Sequence, residues 1–429
     1  MTPFAYQLLI NLVLSILIFL IQIPKRILCL ILYNISIYLP FNNQDLETIK
    51  KLKHEKNQNR GIVRSCDFNE FISILKDDNN DLISKSYSQV DMFLYFYLCT
   101  IILIIIRLLF LKDDLTNIAN GFGFTCIVYS LYRCLVYINK EKNKIKLVIG
   151  FILSFILYMF ITIYYKEFWS INEKEIIEKF LNYFDEITKK EVFKDSNNTN
   201  VSFKKNELYY QYLNPLNLNI FFGFTFSFIL SIIYIMVDDI YYFDINLINP
   251  SKNKLNTQLK LIENLTKGKV ILNIFLLFGL IQPLFKGFFP NLDLKIYIII
   301  ILSTEFLELL FNTQSIWYDT LRIEQNNYEL SLEFCKTKDS DIKKQLPALK
   351  KSIMLINKTL IDYLFKLIFL SFSPFLLCLL YFYNTKDKIN NSLLQTIIYI
   401  ILITFAIGKG IIYNGKVIYY GLIKKNKYN

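Results

Sequence analysis

Histidine is almost missing from this sequence: among 429 residues there is one, His54, in the polar run KLKHEKNQ. Ser-His-Asp and Cys-His arrangements, like His-rich zinc sites, need an imidazole beside their other members, so one loop histidine makes them hard to build. The seven cysteines (Cys29, Cys66, Cys99, Cys126, Cys134, Cys335 and Cys378) form no CxxC pair, and Cys99, Cys126, Cys134 and Cys378 fall inside apolar runs. They read as small buried side chains rather than redox or metal groups. Walker A, GxGxxG and HExxH patterns are also missing. The short Gly121-Phe-Gly123 opens an apolar run and suits close helix packing better than a phosphate loop. These gaps point away from an enzyme, a cofactor and a metal, and the chain is expected to be non-enzymatic with none of them.

What the sequence does have is oil. It is 54% hydrophobic with a mean hydropathy of +0.35. A hydrocarbon core of roughly 30 Å needs about 20 apolar residues as a helix, and several windows qualify. The net charge of +12 is read as positive-inside loops rather than a nucleic-acid surface, so the expected partner is the lipid bilayer and no nucleic acid. The expected fold is all-α: a polytopic bundle of about nine transmembrane helices with amphipathic helices in its loops.

Taken in order, the first span is Phe4 to Ile23, followed by Pro24-Lys25-Arg26. Its positive charges come after it, which argues for a retained anchor with an outside N-terminus rather than a plain cleaved signal. The run Ile27 to Pro40 is short for a span and is assigned to the interface, closing an N-terminal anchor region over 1–40. Residues 41–91 are polar and extramembrane. A three-helix membrane segment over 92–165 holds spans at Met92–Phe110, Ile118–Ile138 and Leu147–Tyr165, with the lysine-rich loop NKEKNKIK between the last two. The loop over 166–219 opens with the capping-box pattern Ser170-Ile-Asn-Glu173 and leads into a helix with Ile176, Ile177, Phe180, Phe184 and Ile187 on one face.

Central membrane helices occupy 220–311, with spans at Ile220–Val237, Val270–Phe289 and Ile296–Phe311. Between the first two, Leu255, Leu259 and Ile262 fall at helical spacing in a loop with five lysines. Residues 312–365 carry two apolar stripes, Trp317 to Cys335 and Leu346 to Leu360, that suggest a cytosolic helical hairpin. The last segment, 366–429, contains spans at Lys366–Tyr383, through Pro374, and Leu393–Tyr413, then the basic tail GLIKKNKYN. Lysine and arginine counts put the loops starting at 139, 238 and 312 and the tail inside. The loops starting at 111, 166, 290 and 384 then lie outside. Candidate glycosylation sequons stand at Asn34, Asn197, Asn200 and Asn390. Asn197 and Asn200 agree with an outside loop, whereas Asn34 falls on the side assigned to the cytosol.

Several ordered patches resemble the transmembrane protein 161 family of eukaryotic multi-pass proteins. They are Asn34-Ile-Ser36 after the first span, Lys85-Ser86 with Val90-Asp91 before the second, Pro283-Leu-Phe-Lys286 in the sixth, and Tyr363-Leu364 with Pro374 in the eighth. The amphipathic stretch after the seventh span and the apolar last span are similar too. The central part matches best, and 41–80 and 384–400 depart most. The resemblance implies a multi-pass membrane glycoprotein without enzymatic activity or cofactor, acting in ion current regulation alongside other membrane proteins such as ion channels. It carries over no binding or catalytic residue.

The sequence's own functional candidates are charges inside apolar spans. Glu305 and Glu308 are three apart, hence on one helical face. A charge at the bilayer centre costs roughly 2.5–3.5 kcal/mol on insertion scales, so each needs a partner, water or an interface. Arg133 and Lys366 are the expected counter-charges, and Lys286 is expected to snorkel at the outer end of its helix. Two readings stay open for this intramembrane polar site: a structural ion pair near the cytosolic helix end, or a cation or proton site of a transporter or channel.

Overall fold

A computed structural model describes residues 36–40, 63–67, most of 90–105, 114–140, 144–165, part of 174–178, 214–246, 256–281, most of 285–292, 296–314, most of 365–382 and 392–419. The first span, most of the helical hairpin expected over 312–365, the basic tail beyond 419 and the asparagines Asn34, Asn197, Asn200 and Asn390 lie outside the described residues, as do Pro283 and Lys286. The chain divides into two compact units. One comprises Met1–Ser130, Asp239–Gly268 and Leu309–Ser371; the other comprises Leu131–Asp238, Lys269–Glu308 and Phe372–Asn429.

Helices dominate. In chain order they are α1 (Phe93–Ile102), α2 (Asp114–Lys140), α3 (Lys144–Tyr164), α4 (Pro215–Asn246), α5 (Asn256–Leu280), α6 (Ile296–Gln314) and α7 (Ile368–Phe382). The last, α8, is an α-helix over Ser392–Ile407 that widens into a π-helical turn at Gly408–Tyr413 and returns to α-helix up to residue 419. Among the described residues, four stretches are long and apolar enough to cross a membrane: Lys144–Tyr164, Pro215–Val237, Ile296–Gln314 and Gln395–Tyr419. Shorter apolar helical stretches fall in the second, third and eighth expected spans: Phe93–Ile102, Thr125–Val136 within α2, and Ile368–Phe382. The five-lysine loop before the sixth span is already helical from Asn256, as the spacing of Leu259 and Ile262 anticipates.

The all-helical expectation needs one amendment. Strand β1 (Ser36–Pro40) pairs antiparallel with β2 (Val63–Asp67), in register from Ser36 opposite Asp67 to Pro40 opposite Val63. The end of the run assigned to the interface is thus backbone-paired to the polar segment. Ile37 and Tyr38 favour a pleated surface, and Pro40, which cannot donate to a ladder, stands at the strand end.

Within the second unit the helices divide by what they bury. Only 11% of the apolar window of α3 is buried, against 67% for those of α4 and α8. On α3 the side chains of Val148, Ile149, Ile152, Leu153, Ile156 and Phe160 are exposed, an apolar surface that water disfavours and lipid tails accept. Its other side meets α4 closely. A Cβ on Gly223 would stand 2.9 Å from the Tyr158 ring, so only glycine fits there; Phe151 and Phe155 pack on Phe224, with centroids 5.6 and 5.1 Å apart. Small residues at helix contacts are how apolar helices gain packing energy where no hydrophobic effect separates them from their solvent.

The hydroxyls on these helices are largely satisfied by their own backbone. Thr162 donates to the Tyr158 carbonyl, Ser227 to Gly223, Thr304 to Ile300 and Thr404 to Ile400, at 2.6–2.8 Å. At the end of α5 the partners come from other helices. The Gly279 carbonyl accepts from the Tyr297 hydroxyl at 2.9 Å. The next carbonyl, of Leu280, accepts from Tyr399 at 3.0 Å.

Candidate functional site

The polar exception in the second unit lies where α6 meets α8. On α6, Glu305 and Glu308 share a face, as their spacing requires, and they are 1% and 3% exposed. Facing them is Lys409, 5% exposed. Its ammonium pairs directly with Glu308 Oε2 and stands 3.7 Å from Glu305 Oε2. That second oxygen has no hydrogen-bond partner. Cys378 of α7 is close enough to interact electrostatically with both Glu305 and Lys409, and it is a buried free thiol.

Local sequence explains how Lys409 gets there. It lies in the run Ala406-Ile-Gly-Lys-Gly, between two glycines that let neighbouring helices come near. A Cβ on Gly408 would collide with Ile233 Cγ2 of α4, and one on Gly410 would stand 3.1 Å from Leu277 and 3.2 Å from the Asn273 carbonyl of α5. The π turn adds a register change. The Asn414 N–H donates to the Lys409 carbonyl, an i to i+5 bond, and such turns concentrate at functional sites. It stacks Lys409 and Asn414 along one side of α8. Asn414 is buried, donates to the Val270 carbonyl at 3.0 Å and accepts from Asn273 Nδ2 at 3.3 Å. The Oδ1 of Asn273 is buried without a hydrogen-bond partner.

The sequence-level candidates are therefore only partly brought together. Glu305 and Glu308 form the site as expected. Arg133 is half-buried on α2, with its Nε bonded to nothing among the described residues. Lys366 is buried just ahead of α7. Among the described residues, Lys409 supplies a counter-charge to both carboxylates, a residue not among the expected partners. The visible signal was a lone charge within the last apolar span, held between glycines. Among the described residues there is no group of three or more His, Cys, Asp or Glu side chains that could hold a metal ion.

With both carboxylates ionised and the lysine charged, these three side chains together carry one net negative charge in an apolar bundle. Hydrocarbon strongly disfavours such a charge, and two carboxylates this close repel. One added proton or monovalent cation removes the imbalance, so the arrangement can take up and release a positive charge.

The chain matches no family model, and no curated protein or solved structure is similar to it.

Proposed function

We propose that this chain is a multi-pass integral membrane protein whose second unit moves a proton or small cation across the bilayer through Glu305, Glu308 and Lys409. The observation that carries this reading is the buried, charge-unbalanced cluster on helices of membrane-spanning length, with one carboxylate oxygen lacking a hydrogen bond. A bundle that needed only a structural ion pair would be better served by one acid and one base, since the second carboxylate adds desolvation cost while sharing the Lys409 ammonium with the first. Ionisable groups inside membrane helices pair with one another and mark ion and proton pathways. The exposed apolar side of α3 supports membrane insertion.

The resemblance to the transmembrane protein 161 family supports a second role, modulation of ion currents through other membrane proteins, and the two readings separate in one assay. Purified protein is reconstituted in liposomes and loaded in turn with proton, sodium and potassium gradients. Flux by the wild type that Glu305→Gln and Glu308→Gln abolish upholds transport through the site. Silence for every gradient refutes it in favour of the modulator.

A further inference from the structure

We infer that the cargo of this site is a proton, that Glu305 is the residue that carries it, and that Glu308 and Lys409 form a fixed pair that holds the carrier in place. The inference rests on the transport reading above and adds the chemical identity of the cargo and a division of labour between the two carboxylates.

Geometry separates the carboxylates. Glu308 is in direct contact with the ammonium, so its charge is matched. Glu305 Oε2 is 3.7 Å from the same nitrogen, beyond hydrogen-bond distance, and bonds to nothing. It is therefore the oxygen on which a new O–H bond can form without displacing a hydrogen bond. The groups that face it are Glu308 on its own helix, Lys409 from α8 and the Cys378 thiol from α7. Among these described residues, the charges sum to zero when Glu308 and Lys409 are paired and the thiol is neutral. The protonated Glu305 then completes a neutral cluster, and the deprotonated one leaves a single buried negative charge.

A metal cation fits the same place poorly. Hard cations take several oxygen ligands, about six for magnesium and six to eight for calcium. Here the two carboxylates face an ammonium that already fills the position a cation would occupy. A proton needs only one oxygen. The balance is simple: water on one side supplies the proton to Glu305 Oε2, and the same O–H bond breaks to return it to water on the other side, with no electron transferred.

The Lys409 pair is built to stay. Gly408 and Gly410 clamp α8 against α4 and α5, and Asn414, five residues on, is bonded to α5 through Val270 and Asn273. Lys409 is thus a positioning residue in the transport cycle rather than a carrier.

The test is an acid-minus-alkaline infrared difference spectrum of the full-length protein in lipid nanodiscs. A carboxylic acid buried in an apolar site has a carbonyl stretch above that of solvated carboxyls. Wild type should show that band, with release of about one proton per chain as it disappears. Glu305→Gln should lose both, and Glu308→Gln should keep the band, though displaced. Should either variant fail to fold, Glu305→Asp and Glu308→Asp retain a carboxyl, and only the first should move the band strongly. A band that survives Glu305→Gln and vanishes in Glu308→Gln would overturn the assignment. A band removed by sodium at constant pH would replace the proton with a metal cation. The readout is independent of flux: a titrating Glu305 in a protein that moves no protons refutes transport but not the proton site, and flux without the band does the reverse.

Discussion

Replacing Lys409 by methionine keeps the length of the side chain and removes its charge, which leaves Glu305 and Glu308 buried together without the ammonium they share. At 3.7 Å and an effective dielectric constant of about 20, one ion pair is worth about 4 kcal/mol before desolvation is counted. Breaking a buried pair by removing one partner costs about 3–5 kcal/mol, because a charge is stranded. Lys409→Met in the wild-type background should therefore destabilise by that amount. In a Glu305→Gln/Glu308→Gln background the stranded charge is Lys409 itself, so the same substitution should stabilise. The triple variant should fall near wild type or about 1–4 kcal/mol above it, as apolar replacements of buried ion clusters do. The assay is equilibrium unfolding in mixed micelles with increasing denaturing detergent, with refolding checked. An equal cost for Lys409→Met in both backgrounds would mean that the three groups are not energetically coupled, and the cluster would lose its standing as a unit.

Tyr297→Phe should cost about 1–3 kcal/mol, since the buried Gly279 carbonyl loses the hydroxyl it accepts from; a neutral outcome in the same unfolding assay would show that the carbonyl has another donor. Gly408→Ala drives a methyl into Ile233 Cγ2, on a β-branched side chain that is stiff in a helix. Overpacking of this kind costs about 1–3 kcal/mol, and Ile233→Ala should restore part of it; no rescue would place the strain elsewhere. Asn414→Ala removes the contacts to Val270 and Asn273. By the scale of hydrogen bonds between membrane helices it should cost about 0.6–1.7 kcal/mol, with a slower transport rate as Lys409 loses its support. Full transport in that variant would separate the polar column from the site.

Much of the helical frame could be read from the sequence, because runs near 20 apolar residues leave few alternatives: α3, α4, α6 and α8 all fall on expected spans. The pairing of Glu305 with Glu308 was equally legible, since a spacing of three fixes a common face in any α-helix. Their partner was not. Arg133 and Lys366 are the basic residues that the expected topology puts on the cytosolic side with the two carboxylates, while Lys409 lies inside a long apolar window. Choosing among basic residues on different helices needs helix rotation and neighbour order, which a 3.6-residue period does not contain. The π turn compounds this, since one extra residue per turn re-aims everything after it, and Gly408 and Gly410 only hint at it. The β1–β2 ribbon escaped for another reason: Ile37-Tyr38-Leu39 suits a strand as well as an interfacial helix, and its partner lies in a polar segment with no matching apolar pattern.

The central claim, that the buried cluster carries protons, is tested most directly by the initial rate of internal pH change in proteoliposomes under an imposed proton gradient. Wild type and Glu305→Gln are compared at equal reconstitution, with folding of both verified. The account expects acidification by wild type that falls to the protein-free leak in Glu305→Gln. Equal rates in the two preparations, whether fast or at the level of the leak, would contradict it.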